Sequence, residues 1–580
     1  MTPLPEVPPE LVATALDALP GRLRARLDET VRAARDWPVI AAGEVVEVRV
    51  DEDVTVHMAQ TVRSPDDVRC TCLLAPRCLH RAAVLSLAPS ASTVDAAPSP
   101  GTDAAGDPPE SNAPVSDASV SAAESRAAEA LWRAAAGVLE TGIPGAGAVS
   151  RAALLRAAHD ARAVGLHRGA TATVRVVEHL RAATTEDPAF RLADLVRDLR
   201  DVLAVAHRLR RPDARISAGL RGTARREYRV APGARLFGLC VEPVATASGY
   251  AGAVTLLADA AGDVWQVSTV VPGGADVARF AARRPVSVGE VRLSHNDLGR
   301  AGLVADQLRA SADGRISGGR GTSAVAADGG SWWEPPLGPL WEQPWSEQVS
   351  RYLASLESPP AERPAVAGLL FLDATVAGAA GGGLGLVGDR QLIAVAAHDS
   401  PELTYVDNLR LLARAVGAPV RIVARPVGAR RIAPIAFAAP WLPESYRGHV
   451  DLGLDRLGRA DLPASLVETE LPEVPVPRSD ATPPLRPLSR RLERAVEGGR
   501  AAIRGDQGEL VRMVAALPHG GELARRLETA ARPRRDAFGR ITTAQSGTPD
   551  DELALAWLAG ATYVHGALRS AEYDDWLRVA

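Results

Sequence analysis

The stretch "RCTCLLAPRCLHRAAVLSLA", residues 69–88, decides how the N-terminal part of the chain is read. Cys70, Cys72 and Cys78 lie close together, His80 follows two positions later, and the fourth cysteine, Cys240, stands far away. A structural zinc ion takes four donors in a tetrahedron, with sulfur at about 2.3 Å and imidazole nitrogen at about 2.0 Å; three thiolates and one imidazole form a closed set. In an extended segment i and i+2 share a face, so Cys70 and Cys72 can aim both sulfurs at one ion. "LLAPR" turns the chain, and Cys78 and His80 enter from the start of a short helix. Arg69, Arg77 and Arg81 favour deprotonated thiols. A redox pair has two residues between its cysteines, and this cluster has none so spaced. The expectation is one structural Zn2+ ion held by Cys70, Cys72, Cys78 and His80, with no open position for catalysis.

Upstream, residues 8–36 carry apolar positions three and four apart, which predicts helices. "GEVVEVRV" and "VTVHMAQ" alternate like the strands of a hairpin joined by the acidic "DED". Two strands, Cys-x-Cys, a spacer, Cys-x-His and a helix resemble the SWIM-type zinc finger of bacterial proteins, in particular those of actinobacterial type. The resemblance covers about residues 40–90. It implies the four ligands just named and binding to nucleic acid or protein. It also implies partners such as a MoxR-type AAA ATPase or a von Willebrand A-domain protein. Asp51, Glu52, Asp53, Asp66 and Asp67 crowd this region. A DNA reader carries a basic face, so protein–protein contact is the expected role of the finger.

Downstream, residues 92–122 are Ala, Ser, Pro, Asp and Gly with almost no large apolar side chains, the composition of a disordered linker. The chain then divides by texture. The expected segments are N-terminal helices (1–36), the finger module (37–91), the linker (92–122), a helical bundle (123–211), a strand-rich domain (212–345), a second α/β or strand-rich domain (346–480) and a C-terminal helical domain (481–580). The fold class is α+β and multidomain: a small zinc-stabilised ββ(β)α module plus a large body of helical and strand-rich, barrel-like segments. The segment after residue 212 is compatible with a small barrel of oligonucleotide-binding type, although no aromatic platform alternates along it. With the linker between them, Cys78→Ser is expected to unfold residues 40–90 and leave the body intact.

At 580 residues the chain exceeds one core. Hydrophobic content is 46% and aromatic content 4%, so the cores are built from Ala, Val and Leu. No lysine occurs. That excludes a P-loop, a protein kinase and a pyridoxal-phosphate enzyme, each of which needs one. The formal net charge of -4 argues against an overall nucleic-acid sponge. The best local patch runs from His207 to Arg235, with nine arginines against Asp213 and Glu227. Arg208, Arg210, Arg211, Arg221, Arg225, Arg226 and Arg229 are the candidate DNA or RNA contacts, with a solvated loop as the plainer alternative. "GGLGLVG" has dinucleotide-fingerprint spacing, but "DRQLIAVAAH" after it reads as a strand, so a hairpin turn is expected. His295, Asn296 and Asp297 read as capping, solvent-facing residues. No catalytic constellation is visible, no secretory signal or membrane span is expected, and a lone fourth cysteine suits the cytoplasm. The expectation is a cytoplasmic, non-enzymatic adaptor; the alternative is a DNA- or RNA-binding protein using the finger and the 207–235 arginines.

Overall fold

Alternating apolar residues build the first sheet. Its strands, Val39–Ala42, Val45–Arg49, Thr55–Ala59 and Val68–Cys70, pair antiparallel in chain order. Val46, Val48, Val56, Met58 and Val68 are buried on one face. The Asp51 carboxylate accepts from the backbone N–H groups of Asp53 and Val54 at 2.9 and 2.7 Å, which fixes the acidic hairpin turn. The edge strand Val39–Ala42 was not expected; most of it is exposed, so no alternation announced it. The helix Leu79–Leu87 lays Ala82, Ala83, Val84 and Leu85 into the core.

In this computed structural model residues 4–577 are described, except 25, 44, 90–117, 189, 212–214, 217, 224–227, 247–248, 290, 318–321, 357, 359–362, 389–390, 429, 465–473, 476–484, 504–507 and 533–550. Most of the expected linker therefore lies outside the described residues. Its end does not: Ser121 caps a helix that starts at Ala122, with a reciprocal bond from the Ser121 N–H to Glu124.

The sheet and its helix do not form a core of their own. Their buried residues are continuous with those of four helices, Ala122–Gly145, Ala148–Ala163, His167–Thr184 and Leu192–Leu209, and with those of C-terminal helices including Arg486–Ala502 and Gly520–Ala530. A sheet this small cannot bury enough apolar surface alone, and the Ala- and Leu-rich helices supply the missing face. Two polar ties cross the junction. The Ala148 N–H donates to Asp28 at 2.6 Å, and Arg181 donates to the Leu87 carbonyl at 2.9 Å. The described parts of Met1–Thr93, Ala104–Ala224 and Pro483–Ala567 thus make one compact unit, which differs from the tethered module expected above. Within it the helices Ala122–Gly145 and Arg486–Ala502 meet back to back at two positive-φ glycines, Gly142 and Gly499. A Cβ on Gly142 would lie 2.4 Å from the Gly499 nitrogen. Arg500 grips Glu140 with two bonds of 2.7 Å beside this crossing.

The second unit comprises the described parts of Arg225–Thr482 and Leu568–Ala580. It contains one closed five-stranded ring and a second sheet of the same strand order that isolated bridges close into a ring. In the C-terminal ring the strands are Leu370–Ala380, Gly383–Val387, Gln391–Ala394, Pro419–Gly428 and Arg431–Ala438. The first three form a meander, the first also pairs with the fourth, the fourth with the fifth, and the third closes on the fifth in parallel. The helix Tyr405–Leu412 spans the step from third to fourth. In the N-terminal ring Tyr228–Ala245, Tyr250–Ala258 and Val264–Pro272 form the meander, and Gly302–Ser311 pairs back on the first. Closure comes from a short segment: Gln266 bridges Arg315 in parallel, and Ala310 bridges Ile316 antiparallel. The helix Ala275–Ala282 again lies between third and fourth strands. This is the order of small Greek-key barrels of the oligonucleotide-binding type. The barrel-like texture is present, and it occurs twice. Leu239, Leu256, Trp332, Leu340, Phe371 and Ile435 form a shared core between the rings.

Candidate metal centre

Each donor is placed by a different element. Cys70 ends the fourth strand of the first sheet, Cys72 follows in the bend, Cys78 is the N-cap of the helix Leu79–Leu87, and His80 lies in its first turn. The four donor atoms lie within 4.8 Å of one another, with Cys70 Sγ 4.0 Å from His80 Nδ1. Donors around a tetrahedral ion with bonds of about 2.3 Å stand about 3.8 Å apart. The cluster is therefore close to ligating distance, and its donor set can hold one metal ion.

The thiols are already biased. Cys70 hydrogen-bonds toward Cys78 and holds the Cys78 thiol down at about 5, against the opposing effect of burial; the Arg81 N–H, 3.4 Å from Cys78 Sγ, adds to the shift. The same sharing pushes the Cys70 thiol upward. An ion entering the site must displace the protons that remain.

Arg81 does more than attract thiolates. Its buried guanidinium donates to the carbonyls of Val68 at 2.8 Å, Pro65 at 2.8 Å and Pro76 at 3.3 Å. It thereby ties the ligand strand, the turn before it and the ligand loop to the ligand helix. Trp37 packs edge-on against His80, with ring centroids 6.0 Å apart. The reading of the sequence missed this clamp, because only the folded loop turns three carbonyls toward one side chain. It also missed the loop tip. Leu73 is fully exposed and Leu74 is 60% exposed, although both are leucines. The apolar pair inside an otherwise polar loop was the available signal.

The arginine candidates are not a single free patch. Arg210 is engaged with Asp551 at 3.1 Å and stacks 4.2 Å above the Trp132 ring. Arg221 pairs with Glu124 at 2.6 Å. Arg208 and Arg211 are exposed in the first unit, and Arg229 is exposed in the second. Arg225 and Arg226 lie outside the described residues. The glycine run at 383–388 serves a hairpin, as expected, with Gly383–Val387 antiparallel to Gln391–Ala394. His295 departs from expectation. It is fully buried, and its two ring nitrogens lie 2.8 and 2.9 Å from the hydroxyls of Thr255 and Thr269. Burial lowers its pKa to about 4. Asp297 does sit at a cap, bonded to Ser294 and Arg447. Cys240 is buried, and desolvation raises its thiol pKa, the setting of an inert structural cysteine.

Among the described residues no helix is long and apolar enough to cross a membrane. No family model, curated protein or solved structure matches the chain.

Proposed function

We propose that this protein is a non-enzymatic, zinc-binding adaptor whose SWIM-type finger, held by one structural Zn2+ on Cys70, Cys72, Cys78 and His80, makes contact with a protein partner. The observation that carries the reading is the exposed Leu73–Leu74 pair on the very loop that the four donors and Arg81 hold in place. Ordered, exposed apolar side chains are the material of protein–protein anchors. Fixing the loop beforehand reduces the entropy lost on binding. Acidic neighbours at Asp51, Glu52, Asp53 and Asp66 suit this use better than contact with phosphates.

The test uses the partner class implied by the family resemblance. A MoxR-type AAA ATPase or a von Willebrand A-domain protein from the same genome is offered to the wild type, to Leu73→Ser/Leu74→Ser and to Cys78→Ser. Capture by the wild type, lost in both variants while the leucine variant keeps one zinc per chain, supports the adaptor. Fluorescence anisotropy with single- and double-stranded DNA and RNA runs alongside. Salt-sensitive nucleic-acid binding that disappears in Leu73→Ser/Leu74→Ser, with zinc content and thermal melting unchanged, would instead make the finger a nucleic-acid reader.

A further inference from the structure

The helix Arg486–Ala502 exposes three arginines in a row, Arg486, Arg490 and Arg494, at spacings of four residues. Four residues of helix advance about 6 Å, so the guanidinium stems form a line along one side. They line a groove of about 250 Å³ whose opposite wall is the short helix Glu509–Met513, with Leu510 and the exposed Met513. Arg491 lies in the groove floor and is held by the Ile503 carbonyl. Glu509 is the one carboxylate in the lining. None of the three row arginines meets a carboxylate among the described residues, whereas arginines nearby in the chain do. Arg500 pairs with Glu140, and Arg525 and Arg526 pair with Glu522. The row is thus a concentrated positive line facing a wall that carries one carboxylate, Glu509, and the exposed Met513.

We infer that this groove binds the sugar–phosphate backbone of a single-stranded nucleic acid. Three regularly spaced guanidinium forks match a ligand with regularly repeated anionic oxygens. Met513, 46% exposed on the facing helix, offers apolar surface to the sugars and bases between the phosphates. A duplex would present its charges on a broad convex surface, which a narrow groove between two helices fits poorly. The site is separate from the finger and from the 207–235 arginines, and it gives the adaptor a second, electrostatic grip.

The experiment is anisotropy of a labelled oligodeoxythymidine strand with the full-length protein across a sodium chloride series. Single-strand binding falls with log salt at a slope of about 0.7 per phosphate contact. Arg486→Ala/Arg490→Ala/Arg494→Ala is therefore expected to reduce the slope by about 2, and Arg490→Gln alone by about 0.7. Zinc content and thermal melting confirm that each variant is folded. Leu73→Ser/Leu74→Ser and Arg208→Ala/Arg211→Ala are expected to leave the slope unchanged, which separates this site from the finger and from the other arginines. Absence of wild-type binding, or a slope unchanged in both groove variants, overturns the proposal. So does binding to phosphatidylserine vesicles or polyglutamate with none to the oligonucleotide.

Discussion

Arg81 shows how one side chain can tie together a loop whose donors could take a metal ion. Its three carbonyl bonds are made from a buried position, and each bond is worth about 1 kcal/mol net. Arg81→Met is expected to cost about 3 kcal/mol in urea unfolding and to weaken zinc in chelator competition. Unchanged zinc affinity would show that the ligands organise themselves. His295 supports a pH prediction in the second unit. Its folded pKa, about 4, lies below its ordinary value of 6.5, so the unfolded chain takes the proton first as pH falls. Its neutral form contributes fully above about 6.5, and stability is lost between about 6.5 and 4, by up to about 3 kcal/mol. Urea midpoints of the wild type and of His295→Gln across that window test this. Parallel pH profiles would sink it.

The contact of Gly142 with Gly499 sets the approach of two helices, and both residues sit at positive φ. Gly142→Ala is expected to destabilise the first unit by about 3 kcal/mol or more, from left-handed strain and from a collision with backbone, while leaving zinc stoichiometry at one. A circular-dichroism melt matching the wild type would contradict it. Neither glycine announces such a role in the sequence. "GVLETGIPG" and "AVEGG" read as helix ends, and only the packing shows that the ends meet. The clustering of Cys70, Cys72, Cys78 and His80 was legible because their spacing in the chain is nearly their arrangement in space. The hairpin Val45–Ala59 was legible because alternation and an acidic turn coincide. The rings were legible only as strand-rich texture. Their closure depends on pairs far apart, such as Ile393 with Arg431 and Gln266 with Arg315, which no local pattern encodes.

Across the molecule, the Cys70, Cys72, Cys78 and His80 cluster is coupled to more than a small module. Because Val56, Leu85 and Leu131 belong to one continuous core, removing the ion or mutating Cys78→Ser should loosen the helices as well as residues 40–90. Calorimetry with a chelator is expected to lower the transition of the first unit by about 10 °C, since metal contributes several kcal/mol, and to leave the transition of the rings in place. A transition confined to a small fragment would restore the tethered module. The first unit is also interrupted in the chain: its last segment, Pro483–Ala567, follows the whole of Arg225–Thr482. On the ribosome the 258 residues of Arg225–Thr482 are made after Ala104–Ala224 and before the stretch that completes the core begins. At about 5–20 residues per second this is a wait of roughly 13–52 s. During that interval the rings, made from one contiguous stretch, can already be finished. The four-donor cluster is therefore synthesised before the rings and becomes secure after them, and a nascent chain stalled before residue 483 would present an open helical face to chaperones.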